Sequence, residues 1–405
     1  MKIRSITYFF HPGYPLDPVA LEQAGEFLAA ARPAYEAAGY EVQTTRLVTP
    51  PFGRLVEPLT AESLIEYARE LEGWAKAIGA DYVALGPALP DQLESYALIP
   101  EVLHETEIIF FSGMLTGAAG ISLPAVHACA EVIHCTTPLS PDGFTNLRFA
   151  AAANVLPGGP FFPTAYGGSA GPTFALAAEA AGLAVAACAE AARLESARLV
   201  LIERVESHAR SLSAVAEGLA GRFGVPFGGI DFSLAPFPQP KLSFGTALEC
   251  LGVPAVGLHG SLAAAAFWMD ALDSAQFLRA GFSGLMLPLL EDAVLAQRAA
   301  EGCLSVKDLL LYSAVCGTGL DTLPLPGDVA AGELAGILLD VAALALRLNK
   351  PLTARLMPVP GKKAGDPTGF DFAYFANSRV LPLQARPLTG LLASDETFPV
   401  RPRQS

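Results

Sequence analysis

Ile3-Arg-Ser-Ile-Thr-Tyr-Phe-Phe10 is a short apolar run that reads as a strand, and Asp17 to Ala38 behind it reads as a helix. Glu41 to Leu47 is a second strand and Thr60 to Gly79 a second helix. The order then repeats, with buried-strand candidates at Tyr82 to Leu85 and Ile108 to Phe111, and with helical potential up to the stretch Ile121 to Thr136. Strand and helix in strict alternation predict an α/β protein with a largely parallel sheet.

Further along, the pattern predicts helices over Thr173 to Ala192, Ser196 to Phe223 and Gly332 to Lys350, and strands over Phe227 to Leu234, Phe282 to Leu287 and Leu352 to Pro358. In the helix from Ser196, Leu201, Val205, His208, Leu212, Val215 and Leu219 recur at three- and four-residue spacing and mark an inward face. No fixed repeat, linker or charge block interrupts the chain, so residues 1–390 are expected to form one domain, followed by a loose tail over 391–405.

Composition narrows the function. Hydrophobic residues are 52% of the 405 and charged residues 16%, which supplies a large core and argues against disorder. A net charge of -14 argues against a general nucleic-acid partner, which needs a basic surface. Cys250 to Met269 carries no charge, yet Gly252, Pro254, Gly257, His259 and Gly260 interrupt it, so it reads as buried loop and helix and not as a membrane span. Ile6 to Phe10 is too short for a signal peptide, which points to a cytoplasmic protein. Six cysteines without a CxxC pair are expected to be reduced thiols. The apolar excess is consistent with a homodimer.

The densest chemistry lies in Cys316-Gly-Thr-Gly-Leu-Asp-Thr-Leu-Pro-Leu-Pro-Gly-Asp328. One reading makes Cys316 a nucleophile or redox centre, with Asp321 and Asp328 moving a proton or holding a divalent cation. The other makes Cys316 a small buried residue and the aspartates turn caps. A second loop adds cations: Arg355 within an apolar strand, then Lys362 and Lys363, an arrangement suited either to a small anionic metabolite or to a solvated surface. Asn146 and Arg148 lie in an apolar segment, where Arg148 must find either a ligand or a structural partner. Asp231, inside a buried-looking strand, needs a cation, a donor or its own proton. Tyr166 to Thr173 is read as a helix start, either an anion site or an N-cap by Thr173. His127, Glu131 and His134 share a helix face but lack a fourth metal ligand.

Taken together, Asn146 to Asn154 with Pro157 to Pro163, Gly229-Ile-Asp231 with Ala235-Pro236, Val315 to Asp321 with Pro326-Gly-Asp328, and Arg355 with Pro360 to Gly365 resemble the bacterial and archaeal domain of unknown function 711 family, also called uncharacterised protein family 0210. The resemblance covers nearly the whole chain. It implies a fold related to pyruvate formate-lyase and ribonucleotide reductase, a single ten-stranded α/β barrel with a finger loop at its centre, and it makes Cys316 the candidate for the finger cysteine. Glycyl-radical enzymes carry Arg-Val-x-Gly-aromatic near the C-terminus, whereas this chain has Arg379-Val-Leu-Pro-Leu383, without the glycine. The expected function is therefore a non-radical enzyme acting on a small anionic metabolite inside the barrel. The alternative is a non-catalytic regulatory protein that binds a small ligand or a divalent metal.

Overall fold

The computed structural model describes residues 1–168 and 171–402. Its twelve strands are β1 (Lys2–Phe9), β2 (Val42–Val48), β3 (Tyr82–Ala88), β4 (Ile109–Met114), β5 (Thr116–Gly117), β6 (Gly120–Ser122), β7 (Phe149–Ala153), β8 (Thr173–Glu179), β9 (Phe227–Asp231), β10 (Gly319–Pro326), β11 (Leu352–Val359) and β12 (Thr397–Phe398). Nine form one sheet in the order β10-β11-β7-β4-β3-β2-β1-β8-β9. The central block β7-β4-β3-β2-β1 is parallel throughout. It meets β8 on one side and β11 on the other in antiparallel pairing, and β8-β9 and β10-β11 are again parallel pairs.

Helices cover the sheet because strand connections of this length must cross over its face. Pro18–Ala37 and Ala61–Ala77 match the predicted spans to within two residues; the second starts at a reciprocal Thr60–Ser63 capping box. Leu194–Phe223 buries Leu201, Val205, Leu212 and Leu219, the face predicted from spacing, and stops at Gly224 in the left-handed conformation. Among the described residues no helix is long and apolar enough to cross a membrane.

Four differences from the sequence reading have physical causes. Thr173–Glu179 is strand β8 and not the start of a helix, so neither an N-cap nor a helix-terminal anion site exists at Thr173; Ser169 and Ala170 of that motif lie outside the described residues. The local helix preference of its alanines is overridden because their small side chains fit a strand buried between β1 and β9. The Gly- and Pro-rich stretch after Cys316 is strand β10, tolerated because its two prolines lie at the end of the ladder. The C-terminal segment is not loose: Thr397–Phe398 pairs with β6, and the Leu123 amide donates to the Glu396 carbonyl at 3.0 Å. Cys188 and Cys250 form a disulfide between packed helices, with Cα atoms 6.2 Å apart, and the other four cysteines are free.

The nine-stranded ladder does not itself close. Residues 279–288 lie beside both of its ends, through isolated parallel bridges Ile230–Arg279 and Leu234–Leu285 on one side and Pro288–Asp321 on the other. Gly281, Ser283 at φ +40° and Pro288 prevent this segment from running as a regular strand. Strong curvature also follows from side chains. Arg4 on β1 and Arg355 on β11 both pair with Glu291, although four strands separate β1 from β11 and a flat sheet would hold them about 24 Å apart.

Gly319 opens β10 at φ +106°, and a Cβ there would meet the Thr353 carbonyl oxygen at 2.4 Å. Gly218, on the exposed face of the Leu194–Phe223 helix, has open space around it. Urea unfolding should therefore show Gly319→Ala losing about 2 kcal/mol or more, while Gly218→Ala gains about 0.5–1 kcal/mol.

Candidate functional site

The concave side of the curled sheet holds two layers. At one level Phe9, Val48, Ala84, Phe110 and Ala175 form a small apolar cluster separate from the main core, and Phe162 and Ala165 join it from the connection between β7 and β8. The described part of that connection reaches this layer through Phe162 and Ala165. It is tied down by Gly167 N–H to the Thr49 carbonyl at 2.9 Å and by the Tyr166 hydroxyl to the Val155 carbonyl at 3.0 Å. Phe161 and Phe162 line a cavity of about 90 Å³.

The second layer is charged. Arg4, Arg46 and Arg355 line the cavity together with Asp231, Glu291 and Asp321. Three of these side chains stand at β-bulges, where an extra residue re-aims a strand. Arg4 is the extra residue of β1 opposite β8. Asp321 and Thr322 stand opposite Arg355, with Thr322 at φ +45°. Asp231 follows the slip at Gly228 and Gly229, and the positive φ of Gly229 lets the chain pass close to the Leu278 carbonyl.

Most of these charges satisfy one another. Arg355 donates through Nε to Asp321 at 2.6 Å and through Nη2 to Glu291 at 3.2 Å. Arg4 pairs with the other oxygen of Glu291 and lies 3.5 Å from Glu179, which also accepts from Gln43 at 2.6 Å. Burial pushes the Asp321 and Glu179 carboxyls up, against the opposing pull of their arginines. Among the described residues Asp231 has no ion-pair partner. It accepts from the Phe282 and Ser283 amides, each at 2.9 Å, and from the Ser233 hydroxyl, while burial pushes its carboxyl up.

Arg46 is the exception among the guanidinium groups. Among the described residues it makes one hydrogen bond, Nε to Thr44 Oγ1 at 2.9 Å, and no ion pair. It lies over the Phe162 ring at 4.8 Å and the Tyr82 ring at 5.7 Å. Burial, and then the positive charge of Arg4, lower its pKa to about 10, so it remains a cation at neutral pH. Its two Nη groups form a fork suited to a carboxylate or phosphate.

Of the residues singled out in the sequence, Asp231, Asp321 and Arg355 meet at this cavity, and the others lie elsewhere. Cys316 is buried in the turn before β10, its Sγ accepting from Gly319 N at 3.4 Å, and lines a separate cleft beside Lys350. Lys350 there donates to the Cys316 carbonyl. Asn146 is fully buried and donates to Ile133 and Thr137, pinning one helix end. Arg148 clamps the Leu103, Thr106 and Ile109 carbonyls and is a structural residue. Asp328 and Lys363 are exposed, Lys362 is half-buried, and none lines the cavity. Asp321 lines the cavity while Asp328 is exposed and does not, so the two carboxylates do not meet there. Among the described residues no three His, Cys, Asp or Glu side chains gather as a metal site, and His134 instead faces the Val329 carbonyl at 3.2 Å.

Arg4, Arg46, Glu291, Tyr82 and Tyr374 line the site but were not singled out in the sequence. The signal for the first two was present: arginines at internal positions of apolar strands β1 and β2 need an interior partner.

Residues 1–373 match the model of a family described as Uncharacterised ACR (DUF711). A UPF0210 protein of Pyrobaculum aerophilum is 35% identical over 369 residues, which covers 86% of this chain and 81% of that protein. A UPF0210 protein of Neisseria meningitidis is 30% identical over 348 residues, 82% of this chain and 77% of its own length. One from Oenococcus oeni is 28% identical over 365 residues, 86% and 81% of the two chains. On the span of the family match and of these relatives, the chain belongs to the DUF711 family, also named UPF0210.

Proposed function

We propose that this chain is a cytoplasmic, non-radical enzyme that acts on a small anionic metabolite held inside a ten-stranded α/β barrel. Support for the barrel comes from residues 279–288, whose parallel bridges reach both ends of the ladder. Counted as a tenth strand, they complete a second parallel block of five, β8-β9, this segment and β10-β11, opposite the block β7-β4-β3-β2-β1. Ten strands are what the likeness to pyruvate formate-lyase and ribonucleotide reductase implies. In this reading the finger is the loop between β7 and β8, whose tip carries Phe161 and Phe162 and no cysteine. A thiyl radical has no source there, which agrees with the missing glycine at Arg379 to Leu383.

The observation that carries the function is the unpaired Arg46 fork in a small, aromatic-walled cavity. A half-buried cation without an ion-pair partner carries a desolvation cost, and an incoming anion offsets it. Asp231, a cavity carboxyl with a raised pKa, is the group suited to move a proton. Arg355 and Asp321 hold each other and act as positioning residues. The regulatory alternative draws on one fact: Asp321, Glu291 and Glu179 are all engaged by arginines, which leaves Asp231 as the one cavity carboxyl without an ion pair among the described residues.

Thermal-shift titration with inorganic phosphate, sulfate and short carboxylates should raise the melting temperature saturably for at least one of them. Arg46→Ala should weaken that binding by about tenfold or more, with Arg46→Lys intermediate. If no anion stabilises the protein, the reading is wrong. Following the bound compound by NMR separates the two versions, since turnover marks an enzyme and an unchanged ligand marks the regulatory protein.

A further inference from the structure

Charge pairing inside the cavity leaves a specific remainder. Arg4 is taken up by Glu291 and Glu179, and Arg355 by Asp321 and Glu291. Among the described residues this leaves one cavity cation, Arg46, and one cavity carboxyl, Asp231, without an ion pair, both lining the same cavity of about 90 Å³. Arg46 uses one of its five N–H donors on Thr44. Asp231 accepts three hydrogen bonds, two from backbone amides and one from Ser233, out of about four that a carboxylate can accept. Each therefore has capacity for a ligand, and the ionised forms of the two carry opposite charges.

That remainder discriminates among ligands. Phosphate or another dianion would add two negative charges beside Asp231, Asp321 and Glu291, and like charges in a low-dielectric space are penalised. A simple carboxylate would satisfy Arg46 and leave Asp231 without a cation. An alkylamine would do the reverse. A molecule carrying both groups satisfies both ends and leaves the cavity's charge sum unchanged. The lining also carries apolar and aromatic side chains, Phe110, Phe161, Phe162 and Met286, which suit a short hydrocarbon link.

We infer that the ligand is a small amino carboxylate, its carboxylate on the Arg46 fork and its ammonium group on Asp231. This rests on the anion-binding reading above and narrows it. The volume limits the molecule to a few heavy atoms beyond the two charged groups.

The test is calorimetric titration of the full chain with matched probes: glycine, alanine, β-alanine and 4-aminobutanoate; propanoate and butanoate, which lack the amine; propylamine and butylamine, which lack the carboxylate; and inorganic phosphate. The inference expects one amino carboxylate to bind at least about tenfold more tightly than its amine-free or carboxylate-free match. The chain length that binds best reads out the spacing of Arg46 and Asp231. Asp231→Asn should bring the amino carboxylate down to the level of the plain carboxylate, and Arg46→Ala should remove both. The comparison of matched probes on the unmodified protein stands even if either variant fails to fold. A plain carboxylate or phosphate that binds as tightly as every amino carboxylate overturns the inference while the anion reading survives. Absence of binding by any probe overturns both.

Discussion

Glu291 holds the interior of this protein together. Its two carboxylate oxygens are taken by Arg4 from β1 and by Arg355 from β11, and Arg355 continues to Asp321 on β10. Strands far apart along the sheet are thereby joined across its concave side. Such a chain is stable only as a complete set: desolvation makes each isolated member expensive, and the members repay that cost only through one another. The bulges at Arg4 and at Asp321 exist in this context, since regular strands would not aim those side chains at one point.

The completed ion chain explains the site by subtraction. With Arg4 and Arg355 committed, Arg46 alone among the three cavity arginines makes no ion pair among the described residues, and it lies against the Tyr82 and Phe162 rings in a cavity that Phe161 and Phe162 help to line. In a partly buried site a charge–charge contact has more effect than it would at the surface. Phe161 and Phe162, both on the loop between β7 and β8, form part of the wall that sets the size of the cavity.

Much of the scaffold was legible in the sequence because it rests on local rules. The alternation from Ile3 to Gly79 has one strand period and one helix period, and the observed elements follow it within two residues. Thr173–Glu179 misled because alanine favours helix in isolation while burial between two strands decides otherwise. The site was legible only in part. Asp231 and Arg355 could be picked out because charged residues in apolar strands require partners. Cys316, Lys362 and Lys363 attracted attention through loop composition, which says nothing about which side of the sheet a loop occupies. Arg4 and Glu291 are 287 residues apart, and no local pattern encodes their contact.

Double-mutant-cycle analysis of Arg355 and Asp321, read by urea unfolding, tests most directly the claim that the interior is organised by one self-satisfied ion chain. Removing either partner alone, as Arg355→Met or Asp321→Leu, should cost about 3–5 kcal/mol, because an unpaired buried charge remains. The double variant should cost well under the sum of the two, with a coupling of about 2–3 kcal/mol. Single costs below about 0.5 kcal/mol, or costs that simply add, would contradict the account.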